Sequence, residues 1–393
     1  MSDDERWMAR ALALAEGVAA RTWPNPAVGC VLVRDGLVVG EGATAPPPGP
    51  HAEAAALAAA GDAARGATAY VTLEPCAHTG RTPPCADALA AAGVARVVVA
   101  VADPNPLADG GVERLAAAGV AVEVGVGAES ALEGLAGFLE RVAAGRPAVV
   151  VKLALSLDGR LAAADGTSQW LTGPAARAAA HRLRAAVDGV VVGSGTVLAD
   201  DPALTVRLGP DGGPAAAPSA GARQPLRIVL DRRARTRPGA KVYDDAAASL
   251  VVVDAAAEAG HLDEAGLDVA RVDGRAADGG LAEALAAAGA RGCRSLLVEG
   301  GAAVAGAVVA AGLADRLVVH VAPVLLGEAG RPAVTGLGVP TLAAAPRWDL
   351  VDVERVDGDA VLTCAPRAGA PEGPHDHDHD HDHALAPHGA GPT

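Results

Sequence analysis

Four side chains near helix starts in the first quarter of the chain have the types and spacing for metal-assisted hydrolysis. His51-Ala52-Glu53 opens one predicted helix, and Glu74-Pro75-Cys76 lies just before the next, which begins at Cys85. One imidazole and two thiolates, from His51, Cys76 and Cys85, fill three positions of a tetrahedral Zn2+ and leave the fourth for water, the pattern of a catalytic zinc site. Zinc lowers the pKa of its water to about 7, so hydroxide becomes available at neutral pH. Glu53 is not needed as a ligand and is placed to take the water's proton and pass it to a leaving group. Cys76 follows Pro75 near a helix N-terminus, where a thiolate is stabilised.

These residues must be positioned by a fold, and the pattern around them is alternating helix and strand. Glu5–Glu16 reads as a helix; Gly29–Val33 and Leu37–Gly40 read as strands joined at Asp35-Gly36, a strong hairpin signal. A helix over Ala52–Ala60, a strand at Ala69–Leu73, a helix at Cys85–Ala92, a strand at Arg96–Val101 and a helix–strand pair over Gly111–Val124 follow. Gly145–Pro147 separates this block from a fresh strand, Ala148–Leu155, and sets the expected boundary between a domain at 1–146 and one at 147–367. The second block continues with a helix at Pro174–Ala186, strands at Gly189–Val192, Leu226–Leu230, Ser249–Val253, Ser295–Glu299 and Arg316–Ala322, a loop through Ser194–Pro202, and an exposed loop over Gly209–Gly221. Both blocks predict α/β sheets covered by helices. From 368 to 393 the composition collapses into Gly, Pro, Ala and His-Asp repeats, which reads as disorder.

Bulk properties exclude several classes. Hydrophobic residues make up 51% and aromatics 2% of 393 residues, so two cores built of Ala, Val and Leu fit. The net charge is −15; five carboxylates and no Lys or Arg lie beyond Ala368, leaving −10 on the body. So acidic a body lacks the clustered cations of a nucleic-acid binder. No apolar run is long enough to span a bilayer, and no secretory signal precedes the charged opening, so no membrane partner is expected. Five cysteines in such a chain point to the cytoplasm, and to metal before disulfide.

In this order, on strand–helix units, His51, Glu53, Cys76 and Cys85 form the zinc nucleobase-deaminase signature, with a longer gap between the cysteines than its short form. The segments Trp23–Cys30 (WPNPAVGC), Pro50–Glu53 (PHAE) and Glu74–Cys85 (EPCAHTGRTPPC) closely resemble the bifunctional diaminohydroxyphosphoribosylaminopyrimidine deaminase / 5-amino-6-(5-phosphoribosylamino)uracil reductase family of riboflavin biosynthesis, in which that longer gap is usual. Lys152–Arg160 (KLALSLDGR), Ser168-Gln169-Trp170, Val197–Arg207 (VLADDPALTVR) and Val298-Glu299-Gly300-Gly301 resemble its reductase half. The resemblance implies an N-terminal cytidine-deaminase-like α/β/α domain and a C-terminal dihydrofolate-reductase-like α/β domain. It also implies a zinc-dependent deamination followed by NADPH-dependent reduction of ribosyl to ribityl, with Zn2+ and NADPH as cofactors and a homo-oligomer, dimer or tetramer.

For the deaminase pocket, Asn25 in a Pro-Asn-Pro turn, Arg81 between the cysteines, and Asp103 and Asn105 after a strand are the expected substrate contacts. The family commonly carries a His seven residues before the zinc His; Thr44 stands there, and loss of a charged polar or phosphate contact is expected. For the reductase, Leu155, Trp170, Thr196, Asp200 and the loop and helix start Gly301, Ala302, Ala303, Val304, Ala305, Gly306 and Ala307 are expected at NADPH. No G-x-G-x-x-G follows a strand, but Gly193-Ser194-Gly195 and Gly300-Gly301 let backbone N–H groups approach a pyrophosphate. Ser168, Arg184, Leu204, Arg207 and Glu299 are the expected substrate contacts, with Arg184 and Arg207 gripping its phosphate. Trp170 has a rival role as a core anchor, Arg184 as a solvated helix residue, and Asp158 reads as a turn. Arg232 and Arg233 are placed to meet the cofactor's 2′-phosphate. The His-Asp tail is either a weak Zn2+ or Ni2+ binder or low-complexity drift. A nucleic-acid base deaminase, a paralogue acting on a related pyrimidine and a metal-bound interaction protein are the rival readings.

Overall fold

The computed structural model describes residues 2–18, 22, 25–46, 49–78, 83–104, 109–143, 145–209, 213–215 and 223–367. The expected contacts Arg81 and Asn105, and the tail from 368, lie outside them.

The first half runs α1 (Asp3–Glu16), β1 (Gly29–Arg34), β2 (Leu37–Ala43), α2 (Ala52–Ala60), β3 (Thr68–Val71), α3 (Cys85–Ala91), β4 (Arg96–Val99), α4 (Gly111–Ala117), β5 (Ala121–Val124) and α5 (Ala128–Ala143). Its five strands form one sheet in the order β2-β1-β3-β4-β5, antiparallel at β2-β1-β3 and parallel beyond. Asp35 and Gly36 both have positive φ (53° and 73°), the conformation of the two-residue hairpin turn that Asp-Gly favours. The period of two along each strand splits the core. Cys30, Leu32, Ala69, Val71, Val97 and Val99 face α2 and α3, whereas Val31, Val33, Tyr70 and Val98 face Trp7, Met8 and Ala11 of α1.

The second half runs β6 (Ala148–Ser156), β7 (Arg160–Ala162), α6 (Pro174–Ala186), β8 (Gly189–Gly193), α7 (Ser194–Asp200), β9 (Leu226–Leu230), β10 (Ser249–Asp254), α8 (Gly260–Glu264) and β11 (Asp268–Val272). It continues with α9 (Leu281–Ala290), β12 (Ser295–Val298), α10 (Ala302–Ala310), β13 (Arg316–Ala322), β14 (Arg331–Pro332), β15 (Trp348–Val356) and β16 (Asp359–Pro366). A nine-stranded sheet has the order β11-β10-β9-β8-β12-β6-β13-β16-β15, parallel as far as β13 and antiparallel at its last two strands. On β6, Val149, Val151 and Leu153 pack under α9 and α10, while Val150 faces α6 and α7 with Val190, Val192, Leu297 and Val318. The stretch expected as loop from Ser194 is instead a turn of helix, α7, after β8.

Candidate active site

His51 is the N-cap of α2, and Glu53 sits in its first turn. Cys76 lies in the loop after β3, and Cys85 is the first residue of α3. The His51 Nδ1 atom is 3.7 Å from Cys76 Sγ and 3.4 Å from Cys85 Sγ, and the three ligand atoms lie within 4.8 Å of one another. Zn–S and Zn–N bonds at tetrahedral angles put ligand atoms roughly 3.5–3.8 Å apart, so geometry and donor chemistry both fit one zinc ion. The Cys85 N–H, in the first turn of α3, points at Cys76 Sγ at 3.5 Å. A hydrogen bond from the Cys85 thiol, together with His51, holds the Cys76 thiol well below the usual thiol range. Glu53 is 4% exposed, and burial pushes its carboxyl up to about 7 against the opposing pull of its own backbone N–H and His51. A carboxyl so poised exchanges protons readily near neutrality.

Close backbone approaches hold these ligands. A Cβ on Gly42 would stand 2.3 Å from the Ala52 carbonyl oxygen, and one on Gly40 would stand 2.4 Å from that of Ala56, so α2 rests directly on β2. A Cβ on Gly111 would stand 1.7 Å from the Pro75 carbonyl oxygen, pressing α4 against the cysteine loop. Glu74, 7% exposed, accepts from the N–H groups of Asp103 (3.0 Å) and Val112 (2.9 Å), fastening the loop after β4 to that same cysteine loop. Asp103 is thereby buried beside the site. The Asn25 N–H donates to the Thr22 carbonyl in a turn at 3.0 Å. Thr44 is buried, and its hydroxyl serves the Val28 backbone, accepting from its N–H at 3.1 Å and donating to its carbonyl at 3.4 Å. It is committed to the backbone and does not stand in for a charged contact.

The second site lies on the α6 face of the nine-stranded sheet. Val298 is in register with Val151, and Val318 with Lys152, so Glu299, Lys152 and His320 share that face. Arg184, in the last turn of α6, donates through Nε and Nη2 to the two Glu299 oxygens at 3.1 and 2.7 Å, and through Nη1 to the Thr205 carbonyl at 2.6 Å. Arg184 is thus neither a solvated helix residue nor an open phosphate fork; it enters the site as the partner of Glu299. Burial pushes Glu299 up, but the Arg184 and Lys152 charges outweigh it and keep it ionised. Burial lowers the Lys152 ammonium, with Glu299 as its countercharge. A cavity of about 340 Å3 is lined by Trp170, Arg177, His181, Arg207, Pro214 and Ala215. The Arg207 N–H donates to His181 Nδ1 at 3.2 Å, and the Arg207 Nε is buried without a hydrogen-bond partner. Leu204, at φ 52°, stands three residues before Arg207, and Ser168 stands two before Trp170.

Trp170 is 70% exposed with the Arg177 guanidinium stacked 4.5 Å from its ring centre, which overturns the core-anchor reading. Asp158 closes the turn, accepting from Ser156 Oγ (2.6 Å) and the Gly327 N–H (2.7 Å). The adjacent parallel strands β8 and β12 end in the turns that open α7 and α10. A Cβ on Gly193 or Gly300 would stand 2.8 Å from Val304 side-chain atoms, and one on Gly301 would stand 4.0 Å from Thr196 Oγ1, so the two turns lie side by side. Both turns present backbone N–H groups at the carboxyl ends of these strands. Leu155 lies near the end of β6, Asp200 ends α7, and Ala302, Ala303, Val304 and Ala307 keep some exposure. Ala305 and Gly306 face inward instead; a Gly306 Cβ would stand 1.9 Å from the Thr335 carbonyl oxygen, so these two serve packing. Arg232 and Arg233 are exposed after β9. Lys152, His181, Thr205, Glu74 and His78 are near the sites yet were not among the expected contacts; only Lys152, a lone cation in an apolar strand, announced itself in the sequence.

A zinc-ligand trio over a five-stranded α/β/α sheet, followed by a nine-stranded, mostly parallel α/β sheet, defines a cytidine-deaminase-type hydrolase fused to a dihydrofolate-reductase-like reductase. Residues 1–101 match the family model of the cytidine and deoxycytidylate deaminase zinc-binding region, and 147–362 match that of the RibD C-terminal domain. The chain belongs to the RibD family of bifunctional deaminase/reductases of riboflavin biosynthesis, which use zinc and NADPH. It is 42% identical to riboflavin biosynthesis protein RibD of Escherichia coli K12 over 380 residues, 91% of this chain and 98% of the relative. To RibD of Mycobacterium tuberculosis it is 43% identical over 352 residues, 89% and 94% of the two chains. Among solved structures, Acinetobacter baumannii RibD (form 1) superposes with a TM-score of 0.66 at 39% identity, covering 93% of this chain and 99% of that one. The Thermotoga maritima diaminohydroxyphosphoribosylaminopyrimidine deaminase / 5-amino-6-(5-phosphoribosylamino)uracil reductase does so with 0.62 at 32% identity and the same coverage. No helix among the described residues is long and apolar enough to cross a membrane.

Proposed function

We propose that residues 1–146 hydrolyse the exocyclic amine of 2,5-diamino-6-(5-phosphoribosylamino)pyrimidin-4(3H)-one, and that residues 147–367 reduce the resulting 5-amino-6-(5-phosphoribosylamino)uracil. The observation that carries this reading is the convergence of His51, Cys76 and Cys85 within 4.8 Å beside the buried Glu53. Zinc held by that trio supplies the Lewis acidity that makes water nucleophilic near pH 7. Glu53 takes a proton from the attacking water at its carboxylate and delivers it to the departing amine, so water enters and ammonia leaves. Asn25, Arg81, Asp103 and Asn105 hold the substrate.

In the second domain NADPH supplies the hydride, and the protein supplies orientation and a proton. Thr196, Asp200 and the Gly301 turn hold the pyrophosphate side, with Leu155 and Trp170 beside the nucleotide. Ser168, Leu204, Arg207 and Glu299 hold the ribosyl phosphate, and Arg184 keeps Glu299 ionised and aimed. Lys152, opposite Glu299, is the group that returns a proton as the ribosyl ring opens to ribityl. Hydride plus proton account for the two hydrogens gained. We further assign the protein to the cytoplasm, consistent with five cysteines that form no disulfide, and expect a homo-oligomer. Mass spectrometry of the diaminopyrimidinone ribosyl phosphate incubated with purified protein tests the whole reading. Amine replaced by oxygen without NADPH, then two hydrogens gained with it, supports both halves; no turnover would favour action on a related pyrimidine.

A further inference from the structure

Arg294 belongs to the second sheet, standing one residue before β12, yet its Nη1 lies 2.9 Å from Nε2 of His78, two residues past the zinc ligand Cys76. Both ends of this contact are anchored. The backbone N–H groups of Arg294 and Ser295 and the Ser295 hydroxyl all donate to Asp188 Oδ2 at 2.9–3.1 Å, while Asp188 Oδ1 receives Arg223. On the other side, the Arg114 Nη1 donates to the Ala77 carbonyl at 2.8 Å, and Arg114 is itself held by a two-pronged pair with Asp87. A guanidinium has donors only, so His78 Nε2 must accept, and the ring carries its proton on Nδ1. Its Nδ1 is buried and has no hydrogen-bond partner. An orphaned buried donor is costly unless something supplies an acceptor.

We propose that Arg294 is a positioning residue for the deaminase: it fixes the tautomer of His78 so that the Nδ1–H is offered to an acceptor oxygen of the pyrimidine substrate. The reductase half thereby completes the deaminase pocket. This rests on the deaminase reading above, which wild-type turnover tests separately.

The test uses the full-length, zinc-loaded protein with Arg294→Ala, His78→Asn and the double variant. Deamination and reduction are measured on the same preparations, and the His78 ring is followed by two-bond 15N–1H correlation. Arg294→Ala is expected to raise the deamination KM about tenfold, leave the reductase constants unchanged, and move His78 away from the Nδ1–H form. His78→Asn, whose amide N–H takes the Nδ1 place, is expected to retain deamination and to make it indifferent to Arg294→Ala. An unchanged KM in Arg294→Ala, or a His78 ring that stays in the Nδ1–H form without Arg294, overturns the proposal; the ring spectrum decides this independently of turnover.

Discussion

At the scale of single residues, Glu53 and Glu299 show one side-chain type serving two purposes through its neighbours. Burial dominates at Glu53, and its carboxyl rises to about 7; at Glu299 an arginine and a lysine outweigh the same burial. Glu53→Gln keeps the shape and the zinc trio but cannot carry the proton. Deamination is expected to fall by about 10²–10⁴-fold, with bound zinc, read by atomic absorption, and reductase turnover both unchanged. Arg184→Ala leaves Glu299 buried without the two hydrogen bonds that its oxygens accept from that guanidinium. Such a broken pair costs about 3–5 kcal/mol, to be read as a lowered urea midpoint together with loss of reduction. His320 gives a pH signature. It is 1% exposed, its Nε2 lacks a partner, and burial lowers its pKa from 6.5 to about 4. The unfolded chain therefore binds this proton more tightly than the fold does. The neutral ring's contribution is complete above pH 6.5 and is lost as pH falls toward 4, on the order of 3 kcal/mol at the acid end. His320→Leu is expected to flatten that acid limb in denaturation curves taken at pH 7, 5.5 and 4.5; an unchanged limb would show that His320 is protonated in the fold.

At the scale of elements, the zinc site is as precise as the contact between α2 and β2. Gly42 admits the Ala52 carbonyl where any Cβ would collide at 2.3 Å. Gly42→Ala is expected to push away the first turn of α2, and with it His51 and Glu53. A weaker zinc affinity by competition with a chromogenic chelator would report this, while reductase kinetics stay as they were. This glycine carries no signature of its own, since its need arises from a helix ten residues onward meeting its strand. Local signals were legible wherever the interaction is local. The Asp35-Gly36 hairpin, α2 at Ala52–Ala60, α6 at Pro174–Ala186 and the alternation of strands are all written in short-range pattern. The long-range pieces were not. The closure of Arg184 on Glu299 joins residues 115 apart, and the inward residues of α10 (Ala305, Gly306 and Val308) were hidden because its Ala-rich sequence has no marked apolar stripe. The helical turn of α7 was masked by Gly193-Ser194-Gly195, a composition that looks like loop. The last two strands, β15 and β16, form an edge hairpin with much of β15 exposed, so it lacks the apolar runs that marked the buried parallel strands.

At the scale of the whole molecule, the two chemistries sit on separate sheets and make different demands. Among the described residues, His51, Cys76 and Cys85 are the one cluster that can hold a metal ion, and all three come from the loops and helix starts that cover the five-stranded sheet. The nine-stranded sheet contributes none, and its reaction draws on a dinucleotide and on charged side chains held by one another. Removing metal should therefore divide the activities. Treatment with a strong zinc chelator is expected to abolish deamination while reduction, started from 5-amino-6-(5-phosphoribosylamino)uracil, continues at its original rate. Zinc also stabilises whatever binds it in the folded state alone, so a protein with two melting steps should lose temperature only in the step belonging to the first sheet. Readdition of zinc should restore both that step and deamination. If chelation slowed the reductase as well, the two halves would be coupled more tightly than separate sheets require, and the contact between Arg294 and His78 would be the first place to look, because it joins the zinc loop to the strand that leads into Glu299.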